Sequence, residues 1–333
     1  MDEQSAGNRS RDVIANTTGI DLFIDGHSHV TLNERVPQKH AEGDKDVPQT
    51  LLVSAGCYGG YIGEVIFDGK KLTAALQSAQ PTQVNAAYGD AEVSALVGGV
   101  NAQVEAALGE TFAQTTVALN GERAPGVRTQ ETNLGDFCAD AMLWQANQSY
   151  SQPVVAAFTN GGSIRASIAV GPITMKDMKT VFPFGNTIAV LSLTGAELLE
   201  LMEASYFSAP EPAGGFLQVA GIRCTIDTSV PYAQGEQYPS STFFAPAEPG
   251  SRVTIETVGD KPFDPTALYV VATNDYLAAG GDQAYVLRYP NQQTGYNTYV
   301  PLEDALIDYT KNVLGGVIGD TYANPAGRIT IKP

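Results

Sequence analysis

The chain has 333 residues, 43% hydrophobic and 17% charged, a composition that excludes a disordered protein; hydrophobic cores divide into units of about 100–200 residues, so two units are expected. Its 36 carboxylates outnumber 19 lysines and arginines, and the formal charge of −17 would repel DNA, RNA and anionic membranes over most of the surface. The sequence contains no run of about 18 apolar residues to span a membrane, its polar start MDEQSAGNRSRD shows no signal peptide, and Cys57, Cys138 and Cys224 are too scattered for a disulfide framework or a zinc knuckle.

From Asp21 to Asp68 the runs DLFI, QTLLVSAG and YIGEVIFDG read as three strands separated by Gly, Asn and Pro, too little sheet for a closed domain. From about Tyr88 to Thr115, apolar Val93, Leu96, Val97, Val100 and Val104 recur at three- and four-residue steps, which predicts a helix that links two units. ETNLGDFCADAMLWQA places Leu134, Phe137, Cys138, Ala141 and Met142 on one helical face, with Asn133 as the expected N-cap. Pro153–Phe158 reads as a buried strand running into TNGGSIR. Thr174 with Asp177 and Thr194 with Glu197 have capping-box spacing, so a helix follows each; Pro183 stops the first, and the strand TIAVLSL precedes the second. Ser208 to Gly215 reads as a surface loop. Strands near FLQVAGIRCTID, SRVTIETV and LYVVATN, a loop DYLAAGGDQ, a helix near LEDALIDYTKNVL and a last strand GRITI complete the chain. This alternation predicts a mixed α/β fold with mixed sheets and substantial antiparallel pairing.

His27 and His29 stand two residues apart where the first strand ends; on an extended chain both imidazoles face one side, where a divalent metal could sit. Hydrogen-bonded histidines after a turn explain the pair equally well. A two-metal centre needs several more ligands to hold ions about 3.5–4 Å apart, and the remaining histidine, His40, lies in a polar loop. In TNGGSIR, Asn160, Ser163 and Arg165 follow a strand; the glycines let backbone N–H groups approach a ligand closely, and the guanidinium could take a phosphate in bidentate fashion. A tight hairpin turn is the plain alternative. FPFGN and NDYLAAGGDQ supply Phe184 and Tyr276, which could stack on a flat ring from both faces, and Asp282, which could accept hydrogen bonds from hydroxyls. Each aromatic could equally be a packing residue. A G-x-S-x-G nucleophile elbow and a Walker loop are both missing from the sequence.

Taken in order, IDGHSHV, VSAGCYGGYIGEVIF, ETNLGDFCADAM, FTNGGSIR, VFPFGNTIAVLSLTGAELLELME and NDYLAAGGD resemble the bimodular 5′-nucleotidases over nearly the whole chain. That family joins an N-terminal metallophosphatase domain by a helix to a nucleotide-binding C-terminal domain. The resemblance implies the last strands of a metallophosphatase sandwich over 1–90, a linker helix over 91–118 and a 5′-nucleotidase-type α/β domain over 119–333. It also implies a nucleobase between Phe184 and Tyr276, ribose hydroxyls on Asp282, Asn160 near the base with Ser163 in the same turn, and phosphate held by Arg165 and Arg128. Gln130 stands where some members carry that second arginine.

By the same resemblance His27 and His29 are metal ligands of a parent enzyme with two divalent ions. The family's upstream D-x-H and G-N-H-[DE] elements, bridging aspartate and further metal-binding histidine are not in this sequence; the one D-x-H is Asp25-Gly26-His27. The implied parent is a phosphoric monoester hydrolase acting on nucleoside 5′-monophosphates at the cell surface, in the periplasm or outside the cell. This chain is expected to be a piece of it that supplies nucleotide binding and little activity, with Met1 not the natural start. A free-standing nucleotide-binding module, a 2′,3′-cyclic phosphodiesterase and a nucleotide-sugar hydrolase are the alternatives, and an exposed sheet edge would allow a dimer.

Overall fold

The computed structural model describes residues 9–79, 89–239, 241, 243–288 and 295–333, and the chain forms two compact units, Met1–Asn101 and Ala102–Pro333. In the first unit the central strand Gln49–Ala55 pairs in parallel with Leu22–Ile24 and antiparallel with Thr31–Pro37. Its unbroken apolar run Leu51-Leu52-Val53 is buried, as a middle strand covered on both faces requires. Ile14 of the helix Ser10–Ala15 packs with Val36 and Leu52 in a small core. Tyr61–Phe67 and Leu72–Ser78 form an antiparallel hairpin of their own.

The helix predicted from Tyr88 to Thr115 runs Ala91–Leu108, and none of its residues is buried. Tyr88 lies outside the described residues. Gly109, a poor helix former, follows Leu108, and Thr111–Thr115 is a strand, not helix. That strand pairs with Gly171–Thr174 and Val317–Ile318, so five residues of the 91–118 segment lie in a sheet.

The second unit is built on a five-stranded mixed sheet in the order Leu217–Ala220, Ala156–Asn160, Leu268–Asn274, Thr187–Thr194, Tyr296–Pro301. Successive residues of a strand face opposite sides, and here they enter two different cores. Ala157, Val190, Ala272 and Ala220 pack with the helices Asn133–Ser149 and Leu302–Asn312. Phe158, Leu191, Val271 and Val219 pack with the helix Gly195–Ser205 and with Ile222–Asp227, Val253–Val258 and Ile329–Lys332 of a second sheet. The mixed α/β fold expected from the alternation of elements is the fold observed.

Both predicted capping boxes are present, Thr174 with Asp177 and Thr194 with Glu197. The helix Asn133–Ser149 buries the predicted face, but its N-cap is Thr132, whose Oγ1 accepts from the Gly135 N–H at 3.0 Å. Asn133 is engaged elsewhere: its amide donates to the carbonyls of Ala118 and Tyr322, both at 2.8 Å, and its oxygen accepts from the Asn120 N–H at 2.9 Å. The rest of this stretch fastens the end of the chain. Glu131 accepts from the N–H groups of Arg328 (2.9 Å) and Ile329 (2.8 Å), Asp136 from that of Ala326 (2.8 Å), and Asp140 from the Arg328 guanidinium (2.8 Å).

Burial pushes the Asp136 carboxyl up to about 7; Arg328 pulls against that shift and Glu131 adds to it. The folded-state value lies above the ordinary carboxylate value of about 3.9. Stability contributed by the neutral group is therefore complete below about pH 4 and is lost as pH rises through about 7. Asp136→Asn is expected to remove this slope: in urea unfolding at a series of pH values it should gain on the wild type between about pH 4 and 7 and keep a constant lead above that. A difference that stays the same at every pH would mean that the Asp136 pKa does not change on folding.

Candidate functional site

Sheet topology sets the site. Ala156–Asn160 and Leu268–Asn274 run parallel and end at the same edge, and the antiparallel neighbours Leu217–Ala220 and Thr187–Thr194 begin there. Asn160 and Asn274, each the last residue of its strand, are therefore adjacent, and the Asn274 amide donates to Asn160 Oδ1 at 3.1 Å and to Thr159 Oγ1 at 3.0 Å. Ser163 Oγ donates to the same Asn160 oxygen. With its oxygen so occupied, Asn160 turns its NH2 to Asp282, whose Oδ2 accepts at 2.8 Å.

Asp282 is also locked to Tyr276. The phenol donates to Asp282 Oδ1 at 3.0 Å and accepts the Asp282 N–H at 3.1 Å. Burial, then the Asp282 charge and hydrogen bond, push the Tyr276 phenol up to about 12, so it is a neutral donor at pH 7. The segment predicted as loop opens with a helical turn, Asp275–Ala278, capped by Asn274, whose oxygen accepts from the Leu277 N–H at 2.8 Å. Gly281 lies flat on the Tyr276 ring: a Cβ there would come within 2.4 Å of Tyr276 Cζ.

Phe184 is 60% exposed and Tyr276 43%. The Arg165 guanidinium carbon stands 5.6 Å from the Phe184 ring centroid, a cation–π contact, and Arg165 Nη1 donates to the Gly162 carbonyl at 3.3 Å. Asp275 ties the two aromatic segments together, accepting from Asn186 Nδ2 at 2.7 Å and Thr187 Oγ1 at 3.2 Å. Neither Asn274 nor Asp275 was singled out from the sequence, although the N-D-Y cluster closing a strand was the available signal.

Arg128 is buried beside the segment Ser208–Gly215, which is more than the surface loop predicted. The Ala213 N–H donates to the Arg128 carbonyl at 3.1 Å, and the Gly214 carbonyl accepts from Gly162 N at 2.8 Å. Asn160, Ser163, Tyr276 and Asp282 thus share one hydrogen-bonded group, Arg165 stands over Phe184, and Arg128 reaches the group through Gly214, whose missing Cβ would lie 3.8 Å from Arg128 Nη1 and 3.7 Å from Asp282 Oδ2.

His27 and His29 lie in the other unit, and they do not alternate along a strand. The strand stops at Ile24, and both histidines have left-handed backbones, φ 76° and 63°, so the shared-face argument from an extended chain does not apply. The His29 ring packs edge-on against Tyr58 at 5.5 Å, and His27 is exposed. His40 Nδ1 is 2.7 Å from the Gln38 carbonyl. Among the described residues no three His, Cys, Asp or Glu side chains come together to hold a metal ion. Among the described residues, these donors do not fit a two-metal centre.

A mixed α/β domain with its polar groups gathered at strand ends is the class that this geometry defines. Residues 111–288, more than half of the chain, match the family model described as "5′-nucleotidase, C-terminal domain", and the chain belongs to that family. It is 32% identical over 289 residues to the trifunctional nucleotide phosphoesterase protein YfkN of Bacillus subtilis, covering 83% of this chain and 18% of that protein. It is 27% identical to a snake venom 5′-nucleotidase of Crotalus adamanteus, covering 81% of this chain and 47% of that one. The structure of a 5′-nucleotidase precursor from Thermus thermophilus superposes with a TM-score of 0.72 at 30% identity over 96% of this chain and 61% of that one. The chain therefore spans about a fifth to three-fifths of the length of these relatives. Among the described residues no helix is long and apolar enough to cross a membrane.

Proposed function

We propose that the second unit binds a nucleoside 5′-monophosphate, as the substrate-holding part of a metal-dependent phosphohydrolase of the 5′-nucleotidase type. The observation that carries this reading is the Asp282 carboxylate, held by Asn160 and the half-open ring of Tyr276, whose segment Asp275 ties through Asn186 to that of the exposed Phe184. In this reading the base stacks between Phe184 and Tyr276, Asp282 accepts from the ribose hydroxyls, and Arg165 and Arg128 neutralise the phosphate in an otherwise acidic protein. Asp275 positions the two rings through Asn186 and Thr187. The first unit is then the C-terminal part of a metallophosphatase-type domain, 91–118 the link, and the working enzyme an exported one.

Stacking is worth roughly 1–3 kcal/mol per base and reads the base little, so both adenosine and uridine should bind. Phe184→Ala and Tyr276→Ala are each expected to weaken adenosine binding by about tenfold in calorimetry. An unchanged affinity in both variants would remove the aromatic clamp. The purified 333-residue chain supplied with divalent metal is expected to release little phosphate from AMP. Robust metal-dependent release would show a complete catalytic centre in this chain and overturn that part of the reading.

A further inference from the structure

Four glycines around Asp282 are closely packed. A Cβ on Gly161 would lie 1.9 Å from the Val127 carbonyl oxygen, on Gly215 1.8 Å from Gln283 Oε1, and on Gly281 2.4 Å from the Tyr276 ring; on Gly162 it would meet the Asn160 amide at 3.0 Å and the Gly214 carbonyl at 3.1 Å. Gly214 differs. Its backbone is not left-handed, and an added Cβ would meet nothing closer than ordinary van der Waals contact: Asp282 Oδ2 at 3.7 Å, Arg128 Nη1 at 3.8 Å and Asp282 Oδ1 at 3.9 Å. Of these five glycines Gly214 alone has room for a methyl group, and that room lies within van der Waals contact of a carboxylate and a guanidinium.

We infer that Gly214 is a specificity-determining residue: its missing side chain keeps open the space between Asp282 and Arg128, through which the sugar-phosphate part of a nucleotide passes. The inference rests on the nucleotide reading above and adds to it a steric filter. A hydroxyl-bearing sugar accepted by Asp282 and an anion drawn to Arg128 must share the volume that a methyl at 214 would fill. The backbone at 214 is at the same time fixed, by the hydrogen bonds Gly162 N–H to Gly214 O at 2.8 Å and Ala213 N–H to Arg128 O at 3.1 Å, so the loop cannot shift aside without breaking them. The flat base, held at the aromatic rings, would not meet the methyl. The filter thus acts on what is attached to the base and leaves the base alone.

The experiment compares the wild type with Gly214→Ala and Gly161→Ala in thermal melts, and with Gly214→Ala in calorimetric binding of adenine, adenosine and AMP. Gly214→Ala is expected to melt within a few degrees of the wild type, to bind adenine equally, and to bind adenosine and AMP at least tenfold more weakly. Gly161→Ala, whose Cβ would meet the Val127 backbone carbonyl oxygen at 1.9 Å, is expected to melt markedly lower. Adenosine and AMP affinities unchanged in a folded Gly214→Ala would overturn the inference and leave the nucleotide reading standing. A melting temperature as depressed as that of Gly161→Ala would also overturn it, because the room for a methyl would not exist. A wild type that binds none of the three ligands would overturn the nucleotide reading and this inference with it.

Discussion

Glu203→Ala is expected to destabilise the second unit by about 3–5 kcal/mol, a fall of about 10 °C in melting temperature for a unit of this size. Glu203, on the helix Gly195–Ser205, is 1% exposed, yet its carboxylate is hydrogen-bonded on both oxygens. The two oxygens accept from Gly250 N–H (2.7 Å), Ser251 Oγ–H (2.7 Å), Arg252 N–H (3.2 Å) and Val253 N–H (3.2 Å), four donors in a row where the chain enters the strand Val253–Val258. Arg252, also buried, sends its guanidinium to the carbonyls of Phe207 and Ala209, and burial lowers its pKa. Removing Glu203 leaves the buried N–H groups of Arg252 and Val253 without their acceptor and takes an opposing charge from the buried Arg252 cation, and both effects carry a desolvation cost. Glu203→Gln keeps the volume but replaces one acceptor by an NH2 that faces donors, so an intermediate loss is expected. Calorimetric melts of the two variants check this ranking. Since Glu203 touches no residue of the candidate site, adenosine binding by folded Glu203→Gln should match the wild type.

The parts of this fold that could be read in advance are those whose cause is local. A capping box needs two residues three apart, so Thr174 with Asp177 and Thr194 with Glu197 fix their helix starts wherever the chain goes next. Strands whose partners are remote gave no such signal. Tyr296–Pro301 pairs with Thr187–Thr194 across more than a hundred residues, and Thr111–Thr115 extends an apolar helical period although pairing with Gly171–Thr174 makes it a strand. The site divides in the same way. Asn160, Ser163, Arg165, Phe184, Tyr276 and Asp282 sit in short motifs rich in glycine and were visible as groups suited to a ligand. Asn274 and Asp275 act through bonds to Asn160 and Asn186, and Gly214 through its nearness to Arg128 and Asp282, relations that only the folded chain creates. The E-T-N-x-G-D motif was legible as a motif, but its side chains turn toward Ala118, Tyr322, Ala326 and Arg328 and not toward a ligand. His27 and His29 went the other way: their spacing suggested a shared face that left-handed backbones at both residues do not provide.

Asp282→Ala is expected to weaken adenosine binding by 10- to 100-fold, about 1.4–2.8 kcal/mol, the range for losing hydrogen bonds to a charged acceptor. An ionised carboxylate offers about four lone-pair sites. Asn160 Nδ2 and the Tyr276 hydroxyl take one on each oxygen of Asp282, and two are left for the vicinal hydroxyls of a ribose. Preorganisation adds to the effect: Asp282 has a left-handed backbone, φ 48°, in a turn held by its own N–H on the Tyr276 oxygen, so the carboxylate is aimed before a ligand arrives. In the alanine variant the Asn160 amide and the Tyr276 phenol also lose their acceptor, and the Tyr276 ring loses the bond that orients it. The effect of the hydroxyls is isolated by 2′,3′-dideoxyadenosine, which keeps the base and removes both donors. The wild type should prefer adenosine to the dideoxy compound by about tenfold or more, and Asp282→Ala should bind the two alike. If the variant keeps that preference, the ribose hydroxyls are recognised elsewhere. If it binds both as the wild type binds adenosine, Asp282 is a packing residue for Tyr276 and the sugar is not held at all.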